Sequence, residues 1–427
     1  MKELEEKINF LINGRKSNTS STPPSHDIGR SNIKNFRIKS GLKSGGQTGH
    51  IGTTLEIKEV PDEVIDYKSD YCSNCGADLQ QVASEMTESK QEVVIPPIQA
   101  KYIEHRSHIK ICPCCKTTCK VALPARLKAP IQYGSSVSVA VTYLSVFQHI
   151  PYHRTALLME AMYSIPISEG TIDNMLESNM QKALPAYQQI QQRLADSSVV
   201  GSDETGCHIG SRKGWFHTWQ NQTLTFIAAS MNRGYATIEK YFPNGFPKSV
   251  HISDCWAAQL KTHAFLHQLC LVHLLRELTN FIDALSCEWC IEMKQLFKDA
   301  IAIKHEMKAE DYTNNANVAL LALRLDTLLK KAGDANKHHK LQAFIKRLIK
   351  NKDSIFTFLY YDNVPADNNG SERAIRMVKV KTKVSGQFRT EKGATRFAIL
   401  RSVVDTTIKN GQNVFQALTA LANLAPT

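Results

Sequence analysis

The segment from Ser197 to Asp254 constrains the fold of this chain most strongly. Three strand-like runs, rich in β-branched and aromatic residues, are separated by turns rich in Gly or Asn, and a helix-like run then leads to a fourth strand-like run. Hairpin strands followed by a helix and a further strand are typical of an α/β fold with a mixed sheet. The sequence therefore predicts such a sheet, with the first and fourth strands next to each other.

Acidic residues stand at the ends of two of these runs. Asp203 ends the first run and Asp254 ends the fourth, so adjacent strands would bring the two carboxylates together. Side chains alternate along a strand, so Asp203 and Glu204 face opposite sides of the sheet and only one of them can point inward. We expect Asp203 to be the inward residue, with Glu204 as the alternative.

A third acidic residue, Glu372, lies far along the chain in the motif Asp367-Asn-Asn-Gly-Ser-Glu-Arg373. Three carboxylates that converge can hold two Mg²⁺ or Mn²⁺ ions, an arrangement used in phosphodiester chemistry. Glu372 also fits a simpler explanation, since Asn369 followed by Glu372 forms a capping box at a helix start. The stretch that follows is almost entirely without acidic residues, which favours a track for DNA phosphates. The predicted DNA-binding residues are Arg373, Arg376, Lys379, Lys381, Lys383 and Arg389.

Two tight cysteine pairs, Cys72 with Cys75 and Cys112 with Cys115, lie in one short block. Such turns can supply four thiolates in a tetrahedron around Zn²⁺, and a module too small for its own core needs the metal. Buried cysteines without a metal are the alternative. Four other side chains could replace one of the ligands: Cys114, Cys119, His105 and His108.

Two further parts of the sequence show helical patterns, one after the cysteine pairs and one after Asp254. Residues 152–162 and the run that begins after Ser168, a suitable N-cap, predict a helix, a turn and a second helix. This pair is either a DNA-binding helix-turn-helix or two packed helices of a bundle. The Lys-rich stretch at about 275–360 is too long for a loop, which predicts a helical insertion. A second zinc site formed by Cys270, His273, Cys287 and Cys290 is the alternative, but the cysteines are interpreted as buried structural thiols because no matching ligand pair lies at a standard distance.

These patterns divide the chain into five segments. Residues 1–60 form a short helix and a flexible basic arm, 61–125 a zinc-binding module, and 126–195 a helical segment that could contain the helix-turn-helix. Residues 196–405 form the mixed-sheet domain with its helical insertion, and 406–427 form a C-terminal helix.

Charge and composition favour a nucleic-acid partner and argue against a membrane protein. The formal net charge is +12 at pH 7, and each Lys or Arg placed on a phosphate releases a condensed counterion. No run approaches the roughly 20 apolar residues of a membrane span, and no signal-peptide pattern is expected. Eleven cysteines in a chain expected to stay in a reducing compartment indicate metal ligands or buried thiols rather than disulfides.

Motifs spread over nearly the whole chain resemble the insertion-sequence 66 family of bacterial transposases. They are Pro23-Pro-Ser-His-Asp27, Gly45-Gly-Gln-Thr-Gly-His50, Asp203-Glu-Thr205, Ser253-Asp-Cys-Trp256, His267-Gln-Leu-Cys-Leu-Val-His273, Asp367-Asn-Asn-Gly-Ser-Glu-Arg-Ala-Ile-Arg376 and the paired cysteines. The resemblance implies an RNase H-like catalytic domain in which Asp203, Asp254 and Glu372 form an Asp-Asp-Glu triad. It also implies a structural element at Cys270 and His273.

The implied activity is that of a DNA transposase, which cleaves transposon ends and joins the freed 3′-hydroxyl to target DNA by phosphoryl transfer with two metal ions. The implied partners are DNA, further copies of the chain in a homo-oligomer, and small accessory proteins of the same element. A bacterial cytoplasmic location at the nucleoid is expected. Two other functions fit the sequence: a zinc-containing DNA-binding protein with an inactive RNase H-like domain, and a related nuclease without strand transfer.

Overall fold

The computed structural model describes residues 55–84, 88–308, 315–334 and 338–424, together with Gly49, Gly52 and Tyr312. The described residues fall into two compact units, one ending at Gln99 and the other beginning at Ala100. The predicted N-terminal helix and most of the predicted basic arm lie outside the described residues. Among the described helices, none combines the length and the apolar character needed to cross a membrane.

The second unit begins with a short hairpin and a group of helices. The hairpin consists of the antiparallel strands β1 (Ile109–Ile111) and β2 (Thr118–Lys120). The helices are α1 (Ser135–Thr142), α2 (Tyr152–Tyr163) and α3 (Glu169–Ala195). A π-helical turn, Tyr143–Phe147, continues α1.

Helices α2 and α3 belong to a packed bundle, which was the alternative to a helix-turn-helix. Ser168 is the N-cap of α3 as predicted, because its Oγ accepts a hydrogen bond of 3.1 Å from the Thr171 N–H. The first turns of α3 carry Asp173 and Glu177, and both carboxylates bind the buried guanidinium of Arg396. A helix start that is acidic and already bound to the protein does not suit insertion into a DNA groove.

A five-stranded mixed sheet forms the centre of this unit. Its strands are β3 (Val199–Ile209), β4 (Arg212–Gln220), β5 (Thr225–Ser230), β6 (Phe246–Ser253) and β7 (Ala264–Leu269). Their spatial order is β5-β4-β3-β6-β7, with antiparallel pairing among the first three and parallel pairing of β3 with β6 and of β6 with β7. The short helices α4 (Tyr235–Tyr241) and α5 (Ala257–Lys261) precede β6 and β7. The predicted mixed sheet is confirmed, and β7 is an additional strand.

The predicted helical insertion is also confirmed. It contains α6 (Leu271–Leu285), α7 (Glu288–Glu306), α8 (Ala316–Lys330) and α9 (His339–Lys350), followed by 3₁₀ turns at Lys352–Ser354 and Thr357–Tyr360. Leu274, Phe297 and Phe344 are fully buried in its core, which extends onto Val250 and Ile252 of β6. The insertion therefore shares its core with the sheet next to Asp254, and it is a packed helical subdomain and not a loop.

Three helices complete the unit: α10 (Asn369–Ser385), α11 (Glu391–Lys409) and α12 (Val414–Ala422). The predicted C-terminal helix over 406–427 is thus divided between the end of α11 and α12. The start of α10 lies directly on β3. A Cβ added at Gly201 would come within 2.9 Å of side-chain atoms of Gln220, Asn368 and Ser371, so only glycine permits this close approach.

Candidate active site

Asp203 lies inside β3, on the face of the sheet that α10 covers. Gly201, two residues earlier on the same face, contacts the residues at the start of α10. Oδ1 of Asp203 accepts a hydrogen bond of 2.8 Å from the Glu204 N–H. Burial raises the pKa of Asp203 to about 8, and the charges of Glu204 and Asp254 add to the effect. The strand runs on past Asp203, so the prediction that Asp203 ends its strand was wrong.

Asp254 is the first residue after β6, beside Asp203. The parallel pairing of β3 with β6 ends at Gly201 and Ile252, and each aspartate stands two residues beyond its member of that pair. Oδ1 of Asp254 accepts a hydrogen bond of 2.9 Å from the Trp256 N–H, which fixes the turn that leaves the strand. The predicted adjacency of the two aspartate-bearing strands is confirmed.

Glu204, the alternative to Asp203, points to the opposite face of the sheet and has other partners. Its carboxylate accepts hydrogen bonds from Arg233 at 2.9 Å and from Gln259 at 3.2 Å, and its side chain is only 3% exposed. Burial raises the pKa of Glu204, and the charge of Asp254 contributes next. Glu204 is therefore engaged in a structural ion pair on the far side of the strand.

Glu372 lies in the first turn of α10, and its carboxylate is directed toward α6. Oε1 lies 3.3 Å from Nη1 of Arg276 and 3.7 Å from Nε2 of His273. In a capping box the carboxylate would instead reach back to the start of its own helix, near Asn369. The observed direction favours a role for Glu372 beyond that of a helix cap.

Cys270 and His273 join the end of β7 to the segment that precedes Glu372. The buried Sγ of Cys270 accepts a hydrogen bond of 3.2 Å from the Asn368 N–H. Burial raises the pKa of Cys270 to about 12, so its thiol stays protonated. Burial lowers the pKa of His273, and the nearby charges of Glu372 and Asp254 oppose that change. These contacts support the structural role that the resemblance implies for both residues.

The three carboxylates thus come from β3, from the end of β6 and from the start of α10. His273 is close enough to both Glu372 and Asp254 for each to affect its pKa. In the described part of this unit, however, no three Asp, Glu, His or Cys side chains are close enough together to hold a metal ion in the observed arrangement. The donor set nevertheless fits Mg²⁺, which prefers carboxylate oxygens. Burial is the main cause of the raised pKa of Asp203, and a cation would offset both the burial of its charge and the repulsion from Glu204 and Asp254.

The predicted basic residues do not all face solvent. Exposed side chains on α10 and just after it are Arg373, Arg376, Lys379, Lys383 and Arg389. Lys381 is only 8% exposed, and its Nζ donates a hydrogen bond of 3.3 Å to the carbonyl oxygen of Ser145. Burial lowers the pKa of Lys381 to about 8. The prediction that Lys381 contacts DNA was wrong, because its ammonium group is engaged inside the protein.

The paired cysteines form two turns of the same kind, one in each unit. In the first, the Gly76 N–H donates to the Cys72 carbonyl at 2.9 Å and the Cys72 N–H donates to the Ala77 carbonyl at 2.8 Å. The second repeats this pattern at Cys112, with distances of 3.0 and 2.9 Å. The fifth residue of each turn has a positive φ, 74° in the first and 58° in the second.

The thiols in these turns are suited to binding a metal. Hydrogen bonds lower the pKa of Cys72, chiefly that from the backbone of Cys75. Hydrogen bonds to Thr117 lower the pKa of Cys115 to about 7. A lowered thiol pKa favours the thiolate, which is the form that coordinates Zn²⁺. All of these cysteines are free thiols.

Comparison with known protein families agrees with this geometry. A family model described as the transposase IS66 family matches residues 130–396, more than half of the chain. The chain belongs to the IS66 family of transposases. A second model, the zinc-finger binding domain of transposase IS66, matches residues 69–116 and includes both cysteine turns. A search of curated proteins finds no match. The transposase match contains the residues of the implied triad, and DNA is the partner that both family models imply.

Cys287 and Cys290 of the transposase lie in the core of the helical insertion. Cys287 is 6% exposed and Cys290 is fully buried. A hydrogen bond with Cys287, followed by burial, raises the pKa of Cys290. This environment agrees with the interpretation of the two residues as structural thiols.

Sequence reasoning missed Arg276, whose contact with Glu372 spans 96 positions of the chain. A single basic residue on an amphipathic helix gives no signal of such a contact.

The burial of Lys381 could have been predicted. It falls at helical spacing on the buried face of α10, after Ser371, Ile375 and Val378.

Proposed function

We propose that this transposase cleaves DNA at transposon ends and joins the freed 3′-hydroxyl to target DNA, with Asp203, Asp254 and Glu372 as its catalytic carboxylates. The main support is the position of Asp203. It is a buried aspartate beside Asp254, on the face covered by the helix of Glu372, and its pKa is raised to about 8. Placing two carboxylates together in a buried site is costly, and such clusters mark functional sites.

In the proposed site Asp203 would contact two Mg²⁺ ions, while Asp254 and Glu372 would each hold one. When bound, the ions would lower the pKa of the attacking water or hydroxyl and stabilise the negative charge on the leaving 3′-oxygen. The fixed turn after β6 holds Asp254 in place through the Trp256 N–H. No covalent bond between protein and DNA is needed, because the attacking oxygen belongs to water or to the DNA end.

The exposed basic residues of α10 would position the DNA strand. Arg373, Arg376, Lys379 and Lys383 recur at three- or four-residue spacing, so their side chains follow one side of the helix. This stripe starts at the residue after Glu372. A phosphate backbone bound along it would therefore lead directly to the proposed catalytic carboxylates.

Single substitutions of the carboxylates test the proposal. Asp203→Asn, Asp254→Asn and Glu372→Gln should each abolish Mg²⁺-dependent cleavage of a duplex that carries the element's own ends, and binding of that duplex should persist. Glu391→Gln is the matched control, because Glu391 pairs with Arg212 on the surface. Mg²⁺-dependent cleavage that survives any of the three substitutions would remove that residue from the site.

The same assay separates the alternatives. If the wild-type chain binds the ends but never cleaves them, the protein is a DNA-binding factor with an inactive domain. If it cleaves without forming joined products, it is a nuclease. Assembly into a homo-oligomer and any need for accessory proteins of the same element stay predictions, which mass photometry of the chain on paired ends would test.

We also propose that Cys72, Cys75, Cys112 and Cys115 hold one Zn²⁺. The matching backbone bonds of the two turns and the lowered pKa values of Cys72 and Cys115 support this assignment. Replacement of any of the four by Ser should remove zinc from the purified chain, measured by elemental mass spectrometry. Cys119→Ser is the control, and zinc loss in that variant would contradict the ligand set.

A further inference from the structure

Helix α6 contacts the proposed site through two side chains, Arg276 and His273, which approach the same carboxylate oxygen of Glu372. Nη1 of Arg276 lies 3.3 Å from Oε1 of Glu372, and Nε2 of His273 lies 3.7 Å from the same atom. Only the first distance is that of a hydrogen bond. In the described structure neither of these two side chains hydrogen-bonds Oε2, the other oxygen of the Glu372 carboxylate.

The distance between α6 and the start of α10 is fixed by two further hydrogen bonds. The Asn368 N–H donates to Sγ of Cys270 at 3.2 Å, and the Leu271 N–H donates to the Ala366 carbonyl at 2.9 Å. These bonds join the beginning of α6 to the residues that lead into α10. A backbone movement of the residues that lead into α10 would therefore carry the start of α6 with it.

The residue after Arg276 connects α6 to the other side of the site. Glu277 accepts hydrogen bonds from Nη2 of Arg347 at 2.7 and 2.6 Å with its two oxygens. Arg347, on α9, also lies near Cys255, the residue that follows Asp254: burial raises the pKa of the Cys255 thiol, and the nearby charge of Arg347 opposes that change. One turn of α6 thus contacts Glu372 directly and reaches the Asp254 turn through one intermediate side chain.

We infer that Arg276 is a positioning residue for Glu372. Its guanidinium holds Oε1 and leaves Oε2 to bind a cation. This inference rests on the proposed function, because it matters only if Glu372 is a metal ligand. Side chains that hold a ligating carboxylate fix its orientation, and their loss typically weakens metal binding about 10–100-fold. Arg276 touches neither DNA nor metal in this role and acts through Glu372.

The test is the affinity of the full-length chain for Mn²⁺ without DNA, measured by isothermal titration calorimetry. Arg276→Gln should weaken binding at the carboxylate site about 10–100-fold, and Arg276→Lys should weaken it less because the charge remains. The matched control is Arg324→Gln, since Arg324 pairs with Asp299 at 2.9 Å elsewhere in the insertion. That variant should bind Mn²⁺ like the wild type.

A second measurement separates positioning from damage to the fold. In a chain that already carries Glu372→Gln, adding Arg276→Gln should cause no further loss of Mn²⁺ affinity, because the two residues act as one unit. An equal additional loss in that background would show that Arg276 acts through stability and would overturn the inference. Unchanged or tighter Mn²⁺ binding by Arg276→Gln alone would also overturn it, and tighter binding would mean that Arg276 keeps Glu372 away from the cation.

Mn²⁺ binding by the single variants shows whether the role of Arg276 alone is wrong or the proposed carboxylate site as a whole. If Asp203→Asn and Glu372→Gln weaken Mn²⁺ binding while Arg276→Gln does not, the carboxylate site stands and only the role of Arg276 is wrong. If the wild-type chain binds no Mn²⁺, or if Asp203→Asn leaves binding unchanged, the proposed site is wrong and the role of Arg276 falls with it.

Discussion

Replacing Asp203 with Asn should stabilise the metal-free transposase at neutral pH, although it should abolish cleavage. Burial and the nearby carboxylates raise the pKa of Asp203 to about 8 in the folded protein, whereas an unfolded aspartate has a pKa of about 3.9. Between these two values the folded chain holds a proton that the unfolded chain releases. The free energy of unfolding must therefore fall as the pH rises from about 4 to about 8.

The size of this effect follows from the width of the pH window. Each pH unit within it lowers the free energy of unfolding by about 1.4 kcal/mol. Between pH 5 and pH 7 the wild type should thus lose up to about 3 kcal/mol through this one carboxyl group. Asn cannot ionise, and its Oδ1 can still accept the hydrogen bond that the Glu204 N–H donates. The variant should therefore lose none of this stability.

Urea unfolding at pH 5 and pH 7 in EDTA measures the difference. Tryptophan fluorescence reports on the correct unit, because Trp219 and Trp289 are buried within it. Asp196→Asn is the matched control, since Asp196 pairs with Lys248 on the surface and both side chains are 69% exposed. The stability gained by Asp203→Asn should grow from pH 5 to pH 7. An equal gain at both pH values would show that Asp203 is already ionised in the folded protein and would refute the reasoning.

Three further predictions concern the packing, the DNA surface and the zinc module. Gly201→Ala should destabilise the chain by about 1–3 kcal/mol, because its Cβ would lie within 2.9 Å of three side chains; Gly333→Ala, with open space around it, should not. Arg376→Gln should weaken DNA binding and reduce the slope of log K against log salt by about 0.9, whereas Lys381→Gln should lower thermal stability and leave that slope unchanged. Cys112→Ser should remove zinc and weaken binding of the element's ends without changing Mn²⁺ affinity at the carboxylate site.

Each of these predictions has an outcome that contradicts it. A Gly201→Ala chain as stable as the wild type would mean that α10 does not approach β3 as closely as described. A reduced salt slope for Lys381→Gln would return this residue to the DNA surface. Full zinc content after Cys112→Ser would point to one of the alternative ligands.

The sheet could be predicted from the sequence because strand patterns are local. Hairpin strands with turn residues between them predicted β3, β4 and β5 in sequence, and the helix-like run before a fourth strand predicted a mixed sheet, in which β6 pairs parallel with β3. Strand β7 was missed since only Cys270 separates it from α6, so that its apolar residues read as part of a helix. The adjacency of Asp203 and Asp254 followed from the same local patterns.

Contacts between distant elements could not be read from the sequence. The hydrogen bond between Arg276 and Glu372 depends on how the insertion packs against the sheet and on the bonds that join α6 to α10. The matching turns at Cys72 and Cys112 were visible as spacing, but the positive φ of Lys116 was not, because lysine gives no signal for that conformation.

The central claim is that Asp203, Asp254 and Glu372 bind the same pair of divalent ions. Anomalous diffraction from crystals grown with Mn²⁺ tests it most directly. The account predicts two peaks about 3.5–4 Å apart, both in contact with Asp203, with Asp254 on one ion and Oε2 of Glu372 on the other. Mn²⁺ bound by the aspartates alone, with Glu372 remote from both ions even on cleaved DNA, would contradict it.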